Sequence, residues 1–391
     1  MPAPVLSARH LPSGLDSRCS DHSPPFSRYA AQMRELVHQA RSTLGVHDAE
    51  HIIAGNAPFE SHPEIFTAGR DRAYRRGVLL IHGLSDSPYF MRALGDFFRE
   101  QGFRVMAVLL PGHGTQPGDL LDVRWQDWAK TVAYGCDCLA AEADELYLGG
   151  FSAGGTLGLL HSLGDHRVRG LFLFAPALRI SPKAAWAKMY RLYDWLLPGA
   201  GWIGILPDDD IYKYESLPKN AAVQMHALAR ELHRALARRS VDIPLFAAAS
   251  ADDATVDSGE TWRFMARSPH PANRLVWYAA GESALPGAIS AACVERVDSA
   301  VPERHILGSA HTAIVLPEDD PYYGENGAYR NCLHYHPHDM ARYAACKSGG
   351  ATAQGEITPQ NLRAGTLRRL MYNPHFPALR EAMRHFIGSL P

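Results

Sequence analysis

A chain of 391 residues, 46% hydrophobic and with a net charge of −2, is long enough for two or three domains, or for one large α/β domain with insertions. Lysine and arginine (39) nearly balance aspartate and glutamate (41), so neither a nucleic-acid partner nor a polybasic membrane surface is indicated. The apolar runs have strand length, well short of the ~20 residues that cross a membrane.

Residues 1–75 read as an N-terminal extension with one helix. The start MPAPVLSARHLPSG lacks a charged segment followed by an apolar one, so the cytoplasm is the default compartment. The first 25 residues are rich in Ser, Pro and Gly and are expected to be loosely ordered. The helix is predicted from Ser27 to Leu44, where Tyr29, Met33, Leu36, Val37 and Leu44 recur with a 3.6-residue period.

Residues 76–180 alternate strands and helices. Buried strands are predicted at Gly77–Gly83 and Phe103–Leu110, and helices at Phe90–Gln101 and Trp125–Glu142. A strand then runs from Glu145 into the turn Gly150-Phe151-Ser152-Ala153-Gly154, and another covers Val168–Phe174. Residues 181–241 break the alternation. They hold Trp186, Tyr190, Tyr193, Trp195, Trp202, Tyr212 and Tyr214, then a helix with Met225, Leu228, Leu232 and Leu236 on one face. This stretch reads as a helical cap whose aromatics could wall an apolar pocket, although core-forming helices would look the same.

Residues 242–316 resume the pattern, with strands at Ile243–Ser250 and Arg274–Ala279 and a strand-like run Arg304–Gly308. Residues 317–391 form an irregular segment and a last core helix near Pro377–Ile387. Continuous apolar strands separated by helices predict an α/β fold: a mostly parallel sheet flanked by helices, with the cap inserted.

The frame G-x-S-x-G is expected only about 0.1 times by chance in a chain of this length. Its place between a strand and a helix gives it a mechanism, because a serine on such a turn is pushed out of the sheet. Ser152 then needs a base, an orienting carboxylate and oxyanion donors. In an open parallel sheet these come from loops at the carboxyl ends of strands.

The strand ending at Ser250 is followed by Asp252 and Asp253, of which Asp253 is the preferred acid and Asp252 the reserve. His311 follows Arg304–Gly308 and lies in a loop, whereas His305 would sit within that strand. Backbone N–H groups of Leu84, after the first strand, and Ala153, after the nucleophile, are the expected oxyanion donors. His82 is expected to pack or hydrogen-bond beneath that loop.

In this order, Ser152, Asp253 and His311, the chain resembles the α/β-hydrolase superfamily, and within it the bacterial carboxylesterase and monoacylglycerol-lipase-like branch. The carrying residues are LLIHGLSDSP (Leu79–Pro88), LLPGHGTQPGDL (Leu109–Leu120), GGFSAGG (Gly149–Gly155), SADDATV (Ser250–Val256) and SAH (Ser309–His311). In that branch the carboxylate precedes a valine by three, as Asp253 precedes Val256. Both ends of the chain depart from the simplest members.

The resemblance implies a serine hydrolase that cleaves carboxylic esters without a cofactor, and the aromatic cap suggests a small-molecule ester with an apolar acyl or aryl group. A thioesterase, acyltransferase or peptidase would use the same triad, and a non-catalytic ligand-binding protein could share the fold.

Other features carry less. His334, His336 and His338 with Asp339 mimic metal ligands, but Pro337 interrupts them, and no metal site is expected. Pro111-Gly112-His113-Gly114 reads as a structural turn, and Asp208–Asp210 as a solvated cap turn. Cys136 and Cys138 read as core residues. Cys332 and Cys346 are read as free more readily than as a pair. The oligomeric state is not legible.

Overall fold

The computed structural model describes residues 6–18, 24–45, 49–179, 201–281, 285 and 287–390. Trp186, Tyr190, Tyr193 and Trp195 of the expected cap lie outside these residues.

Stretches of Val, Leu and Ile without polar alternation suit strands covered on both faces, and that is what they form. Eight strands make one sheet in the order β1-β3-β2-β4-β5-β8-β9-β10. They are β1 (Phe59–Ser61), β2 (Tyr74–Ile81), β3 (Arg104–Val108), β4 (Ala143–Phe151), β5 (Val168–Phe174), β8 (Leu245–Ser250), β9 (Arg274–Ala279) and β10 (Val294–Asp298). β1 is antiparallel to β3, while the pairs β2/β3, β2/β4, β8/β9 and β9/β10 are parallel. Two short pairs stand apart: β6 (Trp202–Gly204) with β7 (Leu217–Pro218), and β11 (Ala353–Gly355) with β12 (Leu367–Arg369). No helix among the described residues is long and apolar enough to cross a membrane.

The chain divides into two compact units. The first, Met1–Leu171 with Arg179–Val241, carries helices α1 (Phe26–Thr43), α2 (Glu50–Asn56), α3 (Arg92–Glu100), α4 (Trp125–Glu142), α5 (Ala153–Ser162) and α6 (Lys219–Leu236). The N-terminal stretch therefore holds a second helix, α2, beyond the one expected. With seven residues it is too short to show a period, and it buries Ile52 and Ile53.

The expected looseness of the first 25 residues does not hold for residues 6–18. The His10 ring bonds Ser216 Oγ at 3.2 Å and pairs with Asp208 at 3.5 Å. Ser13 N–H and O–H both donate to Asp119, Gln116 Nε2 reaches the Leu11 carbonyl, and Gly112 N–H reaches Ser17 Oγ. Polar groups along a 3₁₀ turn and the irregular stretch after it make these bonds, which hydrophobic periodicity does not register. Nor are Asp208 and Asp210 merely solvated. Asp208 accepts from Ser216 and from the Glu215 N–H, and buried Asp210 accepts from the N–H groups of Tyr212 and Lys213.

The second unit, Phe172–Leu178 with Asp242–Pro391, carries α7 (Ser258–Arg267), α8 (Met340–Lys347) and α9 (Phe376–Gly388). α9 buries Leu379, Met383, Phe386 and Ile387, with Phe386 edge-on to Phe172 at 5.2 Å. The strand-like run Arg304–Gly308 is not a strand. It is a turn with His305 at φ +55°, and β10 is the strand before the histidine loop. Cys332 and Cys346 form a disulfide with Cα atoms 6.0 Å apart, contrary to expectation. Both are fully buried beside Tyr335, in a segment too irregular for sequence spacing to bring them together.

Candidate active site

β2 and β4 pair in register with Ile81 opposite Gly150, so the chain leaves both strands at the same edge. Ser152 follows β4 and caps the start of α5 with φ +52° and ψ −114°. A non-glycine residue in this region is strained, and such strain concentrates at functional positions. Two close approaches fix the turn. A Cβ on Gly150 would run into the backbone of Gly154 and Gly155, and one on Gly154 into the Ile81 carbonyl. Only hydrogen fits at either place, which is the steric content of G-x-S-x-G. Ala153 opens α5, so its N–H has no acceptor within the helix.

The loop after β2 lies alongside. The position a Cβ would take on Gly83 is 3.2 Å from Ser152 Cβ. Leu84 follows, then Ser85 at φ +64°. Residues from the predicted cap stretch hold this loop: Tyr214 N–H donates to the Ser85 carbonyl at 2.8 Å, and Lys213 Nζ donates to Ser85 Oγ at 3.0 Å and pairs with buried Asp86.

Beneath it, His82 donates from Nδ1 to the Gly83 carbonyl and accepts the Leu110 N–H on Nε2. That bonding requires the neutral ring, and complete burial, with lesser contributions from His113 and Lys213, holds its pKa well below the usual histidine value. The His113 ring packs edge-on to it with centroids 5.0 Å apart, and burial lowers the His113 pKa to about 4.

In the second unit, Asp253 and His311 meet. His311 Nδ1 lies 2.6 Å from Asp253 Oδ2, with the carboxylate side chain fully buried and the imidazole 6% exposed. The other carboxylate oxygen accepts the N–H groups of Thr255 (2.7 Å) and Val256 (3.0 Å). Burial pushes the Asp253 carboxyl up. The charge and hydrogen bond of His311, with those two N–H donors, outweigh it, so the net shift is downward and the group stays ionised.

Asp252, the reserve carboxylate, does different work. It accepts from Ser299 Oγ (2.6 Å) and Ser309 N–H (3.2 Å), and its other oxygen faces Ala280 N–H at 3.5 Å. It ties together the loops that follow β8, β9 and β10.

Two residues near the pair carry no sequence signal. Buried Glu356 accepts the His311 N–H at 3.1 Å, and Arg369 grips Glu356 with two bonds of 2.9 and 3.0 Å. Both come from the irregular segment, thirteen residues apart, where no period or motif marks them. Among the described residues, no group of three or more His, Cys, Asp or Glu side chains is arranged to hold a metal ion.

The first unit thus places a strained serine and a neighbouring loop after two of its strands, and the second holds an ionised Asp–His pair. The family model for serine aminopeptidase, S33, matches residues 72–282, more than half of the chain. The chain is 36% identical over 83 residues to a thermostable monoacylglycerol lipase of Bacillus sp. (strain H-257), a match covering 21% of this chain and 33% of that protein. It is 35% identical over 99 residues to a carboxylesterase of Bacillus subtilis (strain 168), covering 25% and 39%. The matches thus span well under half the length of these relatives.

A solved structure from work on the metagenome-derived lipolytic enzymes LipS and LipT aligns with a TM-score of 0.48 at 25% identity, over 57% of this chain and 87% of that one. With the family match placed on the parallel sheet and its serine turn, the chain belongs to the serine aminopeptidase S33 family of α/β hydrolases.

Proposed function

We propose that the protein is a serine hydrolase that cleaves carboxylic esters through an acyl-enzyme. The observation that carries this reading is the buried 2.6 Å contact between His311 and an ionised Asp253, in a chain whose only G-x-S-x-G serine sits strained at a strand–helix turn.

In this reading His311 Nε2 takes the Ser152 hydroxyl proton as Oγ attacks the ester carbonyl. The Asp253 hydrogen bond fixes the tautomer in which Nε2 is the proton acceptor, and the carboxylate stabilises the imidazolium that forms. The Leu84 and Ala153 N–H groups receive the oxyanion, each contributing about 3–4 kcal/mol to the transition state. His311 then protonates the departing alcohol, and a water that it activates releases the acid and frees Ser152. No step requires a cofactor.

Residues 181–241 serve in this proposal as the cap, with Trp202, Tyr212 and Tyr214 among its buried aromatics. The names of the curated relatives, a monoacylglycerol lipase and a carboxylesterase, favour an ester with an apolar acyl group. The family description, an aminopeptidase, favours an amide. Rates on p-nitrophenyl esters from C2 to C16, beside aminoacyl p-nitroanilides, separate the two. Esters should react at least a hundredfold faster, with an optimum at C8 or longer. Faster anilide cleavage would make the protein a peptidase, and a C2–C4 optimum would make its substrate a small ester. A protein that neither turns over an ester nor takes a fluorophosphonate label on Ser152 would be a binding protein on the same fold.

A further inference from the structure

The segment between residue 317 and α9 has no place in the mechanism above, yet it contributes two side chains to the surroundings of the Asp–His pair. Their bonds close a ring. His311 N–H donates to Glu356 Oε2, and Glu356 is held by the Arg369 guanidinium. Arg369 Nη2 also donates to Thr255 Oγ1 at 2.7 Å, and Thr255 N–H donates to Asp253 Oδ1, whose other oxygen meets His311 Nδ1. His311 and Asp253 are therefore connected twice, once directly and once through Glu356, Arg369 and Thr255.

We propose that Glu356 is a positioning residue for the general base, and that Arg369 and Thr255 transmit its placement to the carboxylate. The proposal rests on the Ser152–His311–Asp253 reading of the site.

The need for such a device follows from the local structure. His311 opens a three-residue 3₁₀ turn, and the loop from Ser299 to Ala310 is not part of the main sheet or of an α-helix. The loop is held at Leu307, whose N–H donates to the Gln354 carbonyl at 2.8 Å, and at Ser309, whose N–H donates to Asp252; the bond from the His311 N–H to Glu356 adds the anchor at the histidine itself. Glu356 is 1% exposed, which would be costly for a lone carboxylate. The two-pronged arginine compensates its charge and fixes the direction of both oxygens. A rigid acceptor in this place holds the histidine to within a fraction of an ångström, and a misplacement of about 1 Å at a reacting group costs on the order of a hundredfold in rate.

The test measures kcat, KM, the rate of fluorophosphonate labelling and the melting temperature for Glu356→Ala, Glu356→Gln, Thr255→Val and Thr255→Ser. Glu356→Ala should lower kcat and the labelling rate together by about tenfold or more and leave KM within about twofold. Glu356→Gln keeps an oxygen for the His311 N–H and should recover most of that loss. Thr255 is exposed, so its replacement by valine keeps the protein folded even if Glu356→Ala does not. Thr255→Val should lower kcat about threefold, and Thr255→Ser should restore it.

The proposal is overturned if a folded Glu356→Ala protein turns over within twofold of the parent, if KM rises while kcat holds, or if Thr255→Val leaves kcat unchanged. Ser152→Ala runs beside these variants. If it retains parental turnover, the triad reading fails whatever Glu356 does. If it is inactive while the Glu356 and Thr255 variants are normal, only the positioning ring fails.

Discussion

The two compact units carry their chemistry in different ways. In the first, Ser152 is located almost entirely by backbone: a strand, a helix and glycines that permit close approach. In the second, His311 and Asp253 are located by side chains from residues far apart in sequence, through Asp252, Glu356 and Arg369. The proposed nucleophile, set by backbone, is encoded in five consecutive residues. The proposed base, set by cross-links, is encoded in residues scattered over more than a hundred positions.

The sharpest way to break this comparison is to remove each chemical group alone. Ser152→Ala should abolish ester turnover, with kcat falling by about 10⁵-fold or more and no change in melting temperature. Retained turnover would place the nucleophile elsewhere. Asp253→Asn should lower kcat by about 10⁴-fold, because an amide favours the wrong imidazole tautomer. Asp252→Asn should lose about tenfold, through a loosened histidine loop. If the ranking of the two aspartates were reversed, the acid would move by one residue.

A smaller effect distinguishes the units by acid. His113 is neutral in the folded protein down to about pH 4, whereas an unfolded histidine takes up a proton near 6.5. Between those values the unfolded chain binds more protons, so stability contributed around His113 falls as pH drops from about 6.5 to 4. Asp253 has the same sign in a lower pH window. Its carboxyl is depressed, so its contribution is present above the usual carboxylate value and is lost only as pH falls through the lower, folded one. Melting temperature followed from pH 7 to 4 should decline less steeply in His113→Gln than in the parent. Equal slopes would mean that the buried histidine layer is not a source of acid sensitivity.

The core of the fold was legible because burial on both faces leaves uninterrupted apolar runs. Val168–Phe174, Arg274–Ala279 and Trp125–Glu142 were read from sequence with the same limits the structure gives. β10 was missed for a physical reason. As an end strand of the sheet it exposes Glu295 and Arg296, so VERVD resembles a loop, while the apolar run RHILG beside it looks like a strand and is a turn. The family resemblance favoured Asp253 over Asp252 by its spacing to Val256, and the Val256 N–H bonds the Asp253 carboxylate. Glu356, Arg369 and the Lys213–Asp86 pair were beyond reach. Each joins residues distant in sequence through charge and geometry, and neither leaves a period in the chain.

The bond between Cys332 and Cys346 has a consequence of its own. It ties the last turn of α8 to Cys332, both cysteines pack with Tyr335, and the Tyr335 hydroxyl receives the Leu367 N–H, two residues before Arg369. Asn331, next to Cys332, bonds the Arg369 backbone directly. In the chain-entropy view, closing a loop of roughly fifteen residues removes about 3 kcal/mol of freedom from the unfolded state. The segment that grips the base thus draws part of its order from oxidation rather than from burial, and thiol-reducing surroundings would withdraw that part while leaving the serine turn as it is.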